Sequence, residues 1–286
     1  MYLKNFWFSY KNILLNAYVK KRYFSCVRKI VGTIYKYASN YFKKKFSSEI
    51  TNLDYKSEDS FYSYELDSLF KEFNCDKGST CIWNGKKVYT HKYSIFYEKY
   101  LSNFKKEKIN ILELGSHEGR ALASFFYYFP ESNLYGANIN PFQMKFTSHR
   151  LQELYVDVSS KIILNNLANY LDVKFDVIID DASHNVKDIL LTLPIFFKKL
   201  KDGGYYVIED IDQFKLYKNL NPTNESLTPL KILKNIKNKI NFDSKFLTNS
   251  DSQFLFDNIK EYNFEKGSQI VDGHNLSDIV FLKKND

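Results

Sequence analysis

Cysteine is scarce in this 286-residue chain: Cys26, Cys75 and Cys81 are an odd number without metal-site spacing. A disulfide framework is therefore not expected, and a reducing, cytoplasmic compartment is the simple reading. Acids are absent altogether from residues 1–48, which carry eleven Lys or Arg. The other 30 basic residues stand against all 33 acids, so the net charge of +8 comes from the leader and not from the protein as a whole. No uncharged stretch of that leader is longer than residues 12–19, far short of the roughly 18 to 20 apolar residues a bilayer span needs. It also lacks the compact apolar core and small-residue cleavage site of a signal peptide.

What the leader does have is a period. Lys4 and Lys11, then Lys29, Lys36 and Lys43, recur seven apart, while Phe24, Val27, Val31, Ile34, Ala38 and Tyr41 step by three or four. This is the pattern of one or two basic amphipathic helices. Such a helix suits peripheral contact with an anionic membrane on its inner face, aromatics at the interface and Lys and Arg over the headgroups. The alternative is an arm packed on the body of the protein or on a second subunit of a homo-oligomer. Nucleic acid is disfavoured, because no RNA-binding motif accompanies the stripe. Acids then appear abruptly, which divides the chain into a basic helical extension (1–46), a cap or linker (47–107) and a main domain (108–286).

From residue 108 short β-rich runs alternate with helical ones. "INILELG", "NLYGANIN", "ELYVDV", "FDVIID" and "GYYVIED" read as strands. "RALASFFYYF", "PFQMKFTSHRL", "KIILNNLANYL" and "VKDILLTLPIFFKKL" read as the helices between them, and "NIKEYNFEK" and "SDIVFLKK" as closing strands. Strands separated by helices imply right-handed crossovers and a parallel sheet. Ligands of such sheets lie at the carboxyl ends of the strands, and the polar residues cluster there.

Past the first strand, Glu113, Gly115 and Gly119 form E-x-G-x-x-x-G. This is neither a Walker A loop nor the G-x-G-x-x-G of dinucleotide binders. Past the fourth strand stand Asp180, Asp181 and His184, and past the fifth Glu209 and Asp210. Neighbouring parallel strands bring "DDASH" and "IED" to one edge, so Asp181, Glu209 and Asp210 converge. Three anions together call for a cation, and all-oxygen ligands favour Mg²⁺. The ordinary alternative is that Asp180, Asp181 or Ser183 caps the helix that starts near Asn185.

"ILELGSHEG", "LYGANI", "YVDVS", "FDVIIDDASH" and "GGYYVIED" follow one another in the order and spacing of the class I S-adenosylmethionine-dependent methyltransferases. Within that class the chain resembles the metal-dependent sugar O-methyltransferases of the macrocin and mycinamicin type and their rhamnosyl and cephalosporin-hydroxylase-like relatives. "CDKGS" and "THKYSIFYEKYL" upstream carry the same likeness.

The resemblance implies an α/β, Rossmann-like domain with a mostly parallel seven-stranded sheet behind the helical extension. It implies that Glu113 and the turn of Gly115, Ser116, His117 and Gly119 hold the methionine part of S-adenosylmethionine. Asn138 then addresses the ribose and Asp157 the adenine, with Asp180 beside them. An acid normally stands at the position of Asn138 and a glycine at that of His117, so weak cofactor affinity is expected. Tyr93 either covers the cofactor or borders the acceptor pocket, unless it is simply a packed aromatic. Asp181, Glu209 and Asp210 become the ligands of Mg²⁺, Asp181 acting catalytically beside His184, the general base. The expected activity is methylation of a sugar hydroxyl on a carbohydrate or nucleotide-sugar acceptor, in cell-surface glycan or capsule biosynthesis. The alternatives are an RNA methyltransferase and a non-catalytic binding module on a decayed scaffold. Hydroxylation is disfavoured, because no facial triad stands at the strand ends.

Overall fold

A computed structural model describes residues 2–20, 50–55, 59–83 and 85–286. The central sheet has seven strands: β1 (Asn110–Leu114), β2 (Asn133–Asn138), β3 (Leu151–Tyr155), β4 (Phe175–Asp180), β5 (Leu200–Ile208), β6 (Ile259–Lys266) and β7 (Asp278–Lys284). Their spatial order is 6-7-5-4-1-2-3, with β7 antiparallel to both its neighbours and every other pair parallel. Eight helices are described: α1 (Tyr2–Val19), α2 (Leu66–Glu72), α3 (Ser94–Leu101), α4 (Arg120–Tyr128), α5 (Lys161–Tyr170), α6 (Val186–Phe197), α7 (Pro229–Lys237) and α8 (Asn249–Asn258).

Every strand but β6 feeds two cores. Leu112, Leu114, Ile178, Tyr206, Ile208, Val280 and Leu282 pack with α5 to α8, while Ile111, Val177, Ile179, Val207, Ile279 and Phe281 pack with α2 to α4. This is the period of two that a pleated strand imposes. Because helices cover both faces, the strands read as continuous apolar runs. The chain leaves β1 toward β2 on one side and reaches β4 on the other. The crevice at such a switch point, above the carboxyl ends of β1 and β4, is where this architecture takes ligands.

Two expectations change. The run "PFQMKFTSHRL" is not a helix: it forms a single 3-10 turn (Pro141–Gln143) and a two-residue strand (Phe146–Thr147) paired in parallel with Thr51–Asn52. Met144 pins it flat, its side chain filling the space above Gly119 and Gly136 that a Cβ at either glycine would occupy. The Lys145 amide, donating to the Glu118 carbonyl at 2.9 Å, completes the attachment.

The second change concerns the leader. Helix α1 packs on the protein's own body, against β3 and α5, with Ile13 and Ala17 in the core. The rest of its buried stripe is polar: Asn5, Ser9, Asn12 and Asn16. Asn5 donates to Gln152, Ser9 accepts from the Tyr155 amide, Asn12 accepts from Asn166, and Asn16 donates to Tyr155 and Asp157. For residues 2–20 the packed arm, not the membrane-lying helix, is the arrangement found. The basic residues at 21–46 and Cys26 lie outside the described residues; Cys75 and Cys81 are free thiols. Among the described residues no helix is long and apolar enough to cross a membrane.

Candidate functional site: an acidic cluster at the edge of a cleft

Gly115 ends β1 with φ +93°, a left-handed conformation, and lies so close to the next loop that a Cβ would meet the Asp181 carbonyl oxygen at 2.0 Å. Only glycine allows that approach, and it ties the turn after β1 to the acids after β4. His117, where a glycine was expected, takes φ +43°. The loop thus keeps the glycine-like path that histidine tolerates better than most residues. Behind the turn lies a cleft of about 900 Å³, lined among others by Glu113, Gly115, Ser116, His117, Asn138, Asp157 and Asp181. Asn138 Oδ1 accepts from the Ile139 amide at 2.8 Å. Asp180 and Tyr93 are not part of the cleft lining. Asp180 is buried and accepts from Tyr206 at 3.2 Å, and Tyr93 donates to Asp210 at 2.7 Å.

The acids after β4 and β5 do not serve as a helix cap. Asn185 caps α6 by accepting from the Lys187 amide, and Ser183 donates to Asp188. That leaves Asp181 facing the residues after β5. The ligand atoms of Asp181, His184 and Asp210 lie within 4.8 Å of one another. His184 Nε2 is 3.8 Å from Asp181 Oδ1 and 3.9 Å from Asp210 Oδ2. His184 and Asp210 reach this geometry through positive φ, +53° and +54°.

Glu209, expected as the third metal ligand, is turned the other way. Its Oε2 accepts from Lys77 at 2.6 Å and its Oε1 from the Tyr97 hydroxyl. Lys77 Nζ also donates to Asp181 Oδ2 at 2.5 Å and stands 3.7 Å from Glu113 Oε1. The loop after α2 delivers this ammonium. Gly78 lies against α2 where a Cβ would meet Phe70 Cβ at 2.8 Å, and the Tyr93 amide donates to the Lys77 carbonyl at 2.7 Å. Neither Lys77, Tyr97 nor His91 was assigned a role from sequence. His91 Nδ1 is 3.4 Å from Asp210 Oδ1 and 3.0 Å from Ser277 Oγ. The one available signal was "CDKGS" with "THKYSIFYEKYL", which carried a likeness but no roles.

The electrostatics follow from three carboxyl groups, Glu113, Asp181 and Glu209, gathered around one ammonium, with buried Asp180 and Asp210 close to Asp181. Burial alone would lower the pKa of Lys77, but Asp181, Glu209 and Glu113 reverse this and hold it well above the lysine range. Burial also opposes ionisation of Asp181, yet Lys77 and His184 outweigh it and keep Asp181 below the usual carboxylate range. Burial, with Asp181 next to it, pushes Glu209 well up, and burial raises Asp210. Burial lifts Glu113 from 4.5 to about 7 against the pull of Lys77, and lifts Asp180 from 3.8 to about 7 against the Tyr206 hydrogen bond.

These two shifts set a pH dependence. Folded Glu113 and Asp180 keep their protons up to about pH 7, whereas unfolded they ionise from about pH 4 upward. The unfolded chain then binds fewer protons, so stability falls as pH rises through that window. The depressed Asp181 works oppositely, losing its contribution only as pH falls below the usual carboxylate range. With EDTA present, the protein is expected to melt several degrees lower at about pH 8 than at about pH 5, which differential scanning fluorimetry reads directly.

Two features fit a divalent cation. The charge balance is short of positive charge, and Glu113 Oε2 is buried with no hydrogen-bond partner. Asp181 and Asp210 are the carboxylates facing a common point. Glu209 is held instead by Lys77 and Tyr97.

Residues 105–280 match the family described as methyltransferase domain. The chain belongs to that family. Its methyltransferase domain is similar to the 8-demethyl-8-alpha-L-rhamnosyl tetracenomycin-C 2'-O-methyltransferase of Streptomyces olivaceus, 27% identical over 128 residues, which are 42% of this chain and 33% of the relative. It is likewise similar to the mycinamicin VI 2''-O-methyltransferase of Micromonospora griseorubida, 25% identical over 130 residues, covering 43% of this chain and 32% of the relative. The chain thus spans about a third of the length of the curated relatives it matches. Among solved structures, the MycE methyltransferase of the mycinamycin biosynthetic pathway, in complex with Mg and SAH, superposes with a TM-score of 0.58 at 19% identity, covering 78% of this chain and 55% of that one. The methyltransferase domain therefore has the Rossmann-like architecture expected from its sequence.

Proposed function

We propose that the protein transfers the methyl group of S-adenosylmethionine to a sugar hydroxyl, with Mg²⁺ bound at the acidic cluster. One observation carries this reading: Asp181 lines the cofactor cleft and also meets His184 and Asp210. A methyl donor in the cleft would thus lie beside a group able to take a proton. The relatives support it, since they are named as O-methyltransferases of rhamnosyl tetracenomycin and mycinamicin, and the MycE structure holds Mg and SAH.

Methyl transfer to an alcohol needs the hydroxyl oxygen in line with the sulfonium methyl and its proton removed. The oxygen forms a bond to the methyl carbon, the carbon–sulfur bond breaks to give S-adenosylhomocysteine, and the proton passes to His184 Nε2. Asp181 Oδ1 and Asp210 Oδ2 lie 3.8 and 3.9 Å from that nitrogen. Glu113 and the turn from Gly115 to His117 hold the methionine end, and Asn138 the ribose. A divalent ion held by Asp181 and Asp210 would supply Lewis acidity that lowers the pKa of a coordinated hydroxyl. Lys77, anchored on Glu209, donates to Asp181 Oδ2 and so holds that oxygen.

The acceptor follows as a carbohydrate or nucleotide sugar, within cell-surface glycan or capsule biosynthesis. The test incubates the protein with S-adenosylmethionine and a panel of nucleotide sugars and glycosides. A mass gain of one methylene, abolished by EDTA and restored by Mg²⁺, is the expected outcome. Absence of any methylated sugar, or turnover indifferent to EDTA, overturns the reading. Comparison of cell-surface glycans with and without the gene addresses the biosynthetic setting.

A further inference from the structure

Asp157, the acid expected to receive the adenine amino group, has no lone pair to spare. Its Oδ1 accepts from the Ser159 amide at 3.1 Å and the Ser159 hydroxyl at 2.6 Å. Its Oδ2 accepts from Asn16 Nδ2 at 2.7 Å and from Lys20 Nζ at 2.6 Å. Two acceptor sites per carboxylate oxygen are then filled. Both Oδ2 donors come from α1 and the residue after it, and Ile13, Asn16, Ala17 and Lys20 all line the cleft beside Asp157. Of these donors Lys20 is the one most easily given up: its side chain keeps 29% exposure, and water can solvate the released ammonium. Asn16 is buried and also held by the Tyr155 hydroxyl.

We propose that α1 is the adenosine wall of the cofactor cleft, and that Lys20 is a placeholder on Asp157 which the cofactor's exocyclic amino group displaces. This rests on S-adenosylmethionine being the methyl donor. Ile13 and Ala17 present the apolar surface that one face of a purine needs, and Asn16 keeps the Asp157 carboxylate aimed while Lys20 leaves. The N-terminal arm is thereby a binding element. The exchange replaces one N–H donor by another and couples cofactor binding to an ion pair that salt screens.

The experiment is calorimetry of the full chain with S-adenosylhomocysteine, for the wild type, A17F and K20M, with circular dichroism confirming the fold of each. Phe at position 17 fills the purine space, and binding about tenfold weaker or worse is expected, equivalent to about 1.4 kcal/mol. K20M removes the competitor, so binding is expected to be about threefold tighter or better, a gain within the net worth of one typical hydrogen bond. Added salt should tighten binding to the wild type and leave K20M unchanged. No binding by the wild type overturns this inference together with the proposed methyl donor. Wild-type binding matched by A17F leaves the donor standing and overturns the wall; K20M binding no tighter than wild type overturns the placeholder. Should A17F fail to fold, K20M, changed at a partly exposed side chain, carries the test.

Discussion

Replacing Lys77 by methionine is expected to cost the metal-free protein about 3–5 kcal/mol near neutral pH, the usual penalty for removing one partner of a buried ion pair. Methionine fills similar space, so the loss reports charge and not a cavity. In the wild type the ammonium sits within hydrogen-bonding distance of both Asp181 and Glu209. Without it, two carboxylates face each other and one must take up a proton. The deficit should therefore shrink as pH falls toward about 5, because the folded variant binds more protons than its unfolded chain there. Urea denaturation at two pH values measures both effects. A K77M variant as stable as wild type at neutral pH would show that Lys77 is not the counter-ion of the cluster. Mg²⁺ should also stabilise K77M more than wild type, since Glu209 is then released from its rival cation.

Lys77 also marks the boundary of what the sequence made legible. The strand ends were readable because their signals are local: an apolar run, a small or turn-forming residue, then acids. Gly115, Asp181, His184, Glu209 and Asp210 were singled out this way; Asp181, His184 and Asp210 meet, while Glu209 turns to Lys77. Lys77 is 104 positions from Asp181, and nothing local in "CDKGS" says that its lysine turns inward. Its presence changes the role of Glu209, which no spacing argument could show. His91 and Tyr97 were hidden for the same reason. The leader misled more directly: hydrophobic periodicity cannot flag a helix that buries Asn5, Ser9, Asn12 and Asn16, because its contact face is polar. Most of the side-chain partners of those asparagines lie on or just after β3 and on α5, more than a hundred residues away. The failed helix after Pro141 is the converse case. Its residues have helical period, yet Met144 gains more by plugging the gap over Gly119 and Gly136, a tertiary contact that overrides local preference.

His184→Ala is expected to lower kcat by about 10²- to 10⁴-fold, the usual contribution of a positioned general base. The effect should fall on the chemical step alone. His184 does not line the cofactor cleft, so S-adenosylhomocysteine should bind the variant with wild-type affinity, and KM for S-adenosylmethionine should hardly move. Nor does the fold depend on it: α6 is capped by Asn185, and His184 is a partly exposed loop residue whose replacement leaves no buried donor behind. A base also leaves a signature that a structural residue does not. The acidic limb of the pH–rate profile, where the imidazole is protonated and cannot accept the sugar proton, should vanish in the variant, and added imidazole should restore part of the rate. If kcat instead stayed within a few-fold of wild type with its acidic limb intact, proton removal would have to be reassigned. His91 would be the next group to test, because it approaches the far oxygen of the same Asp210.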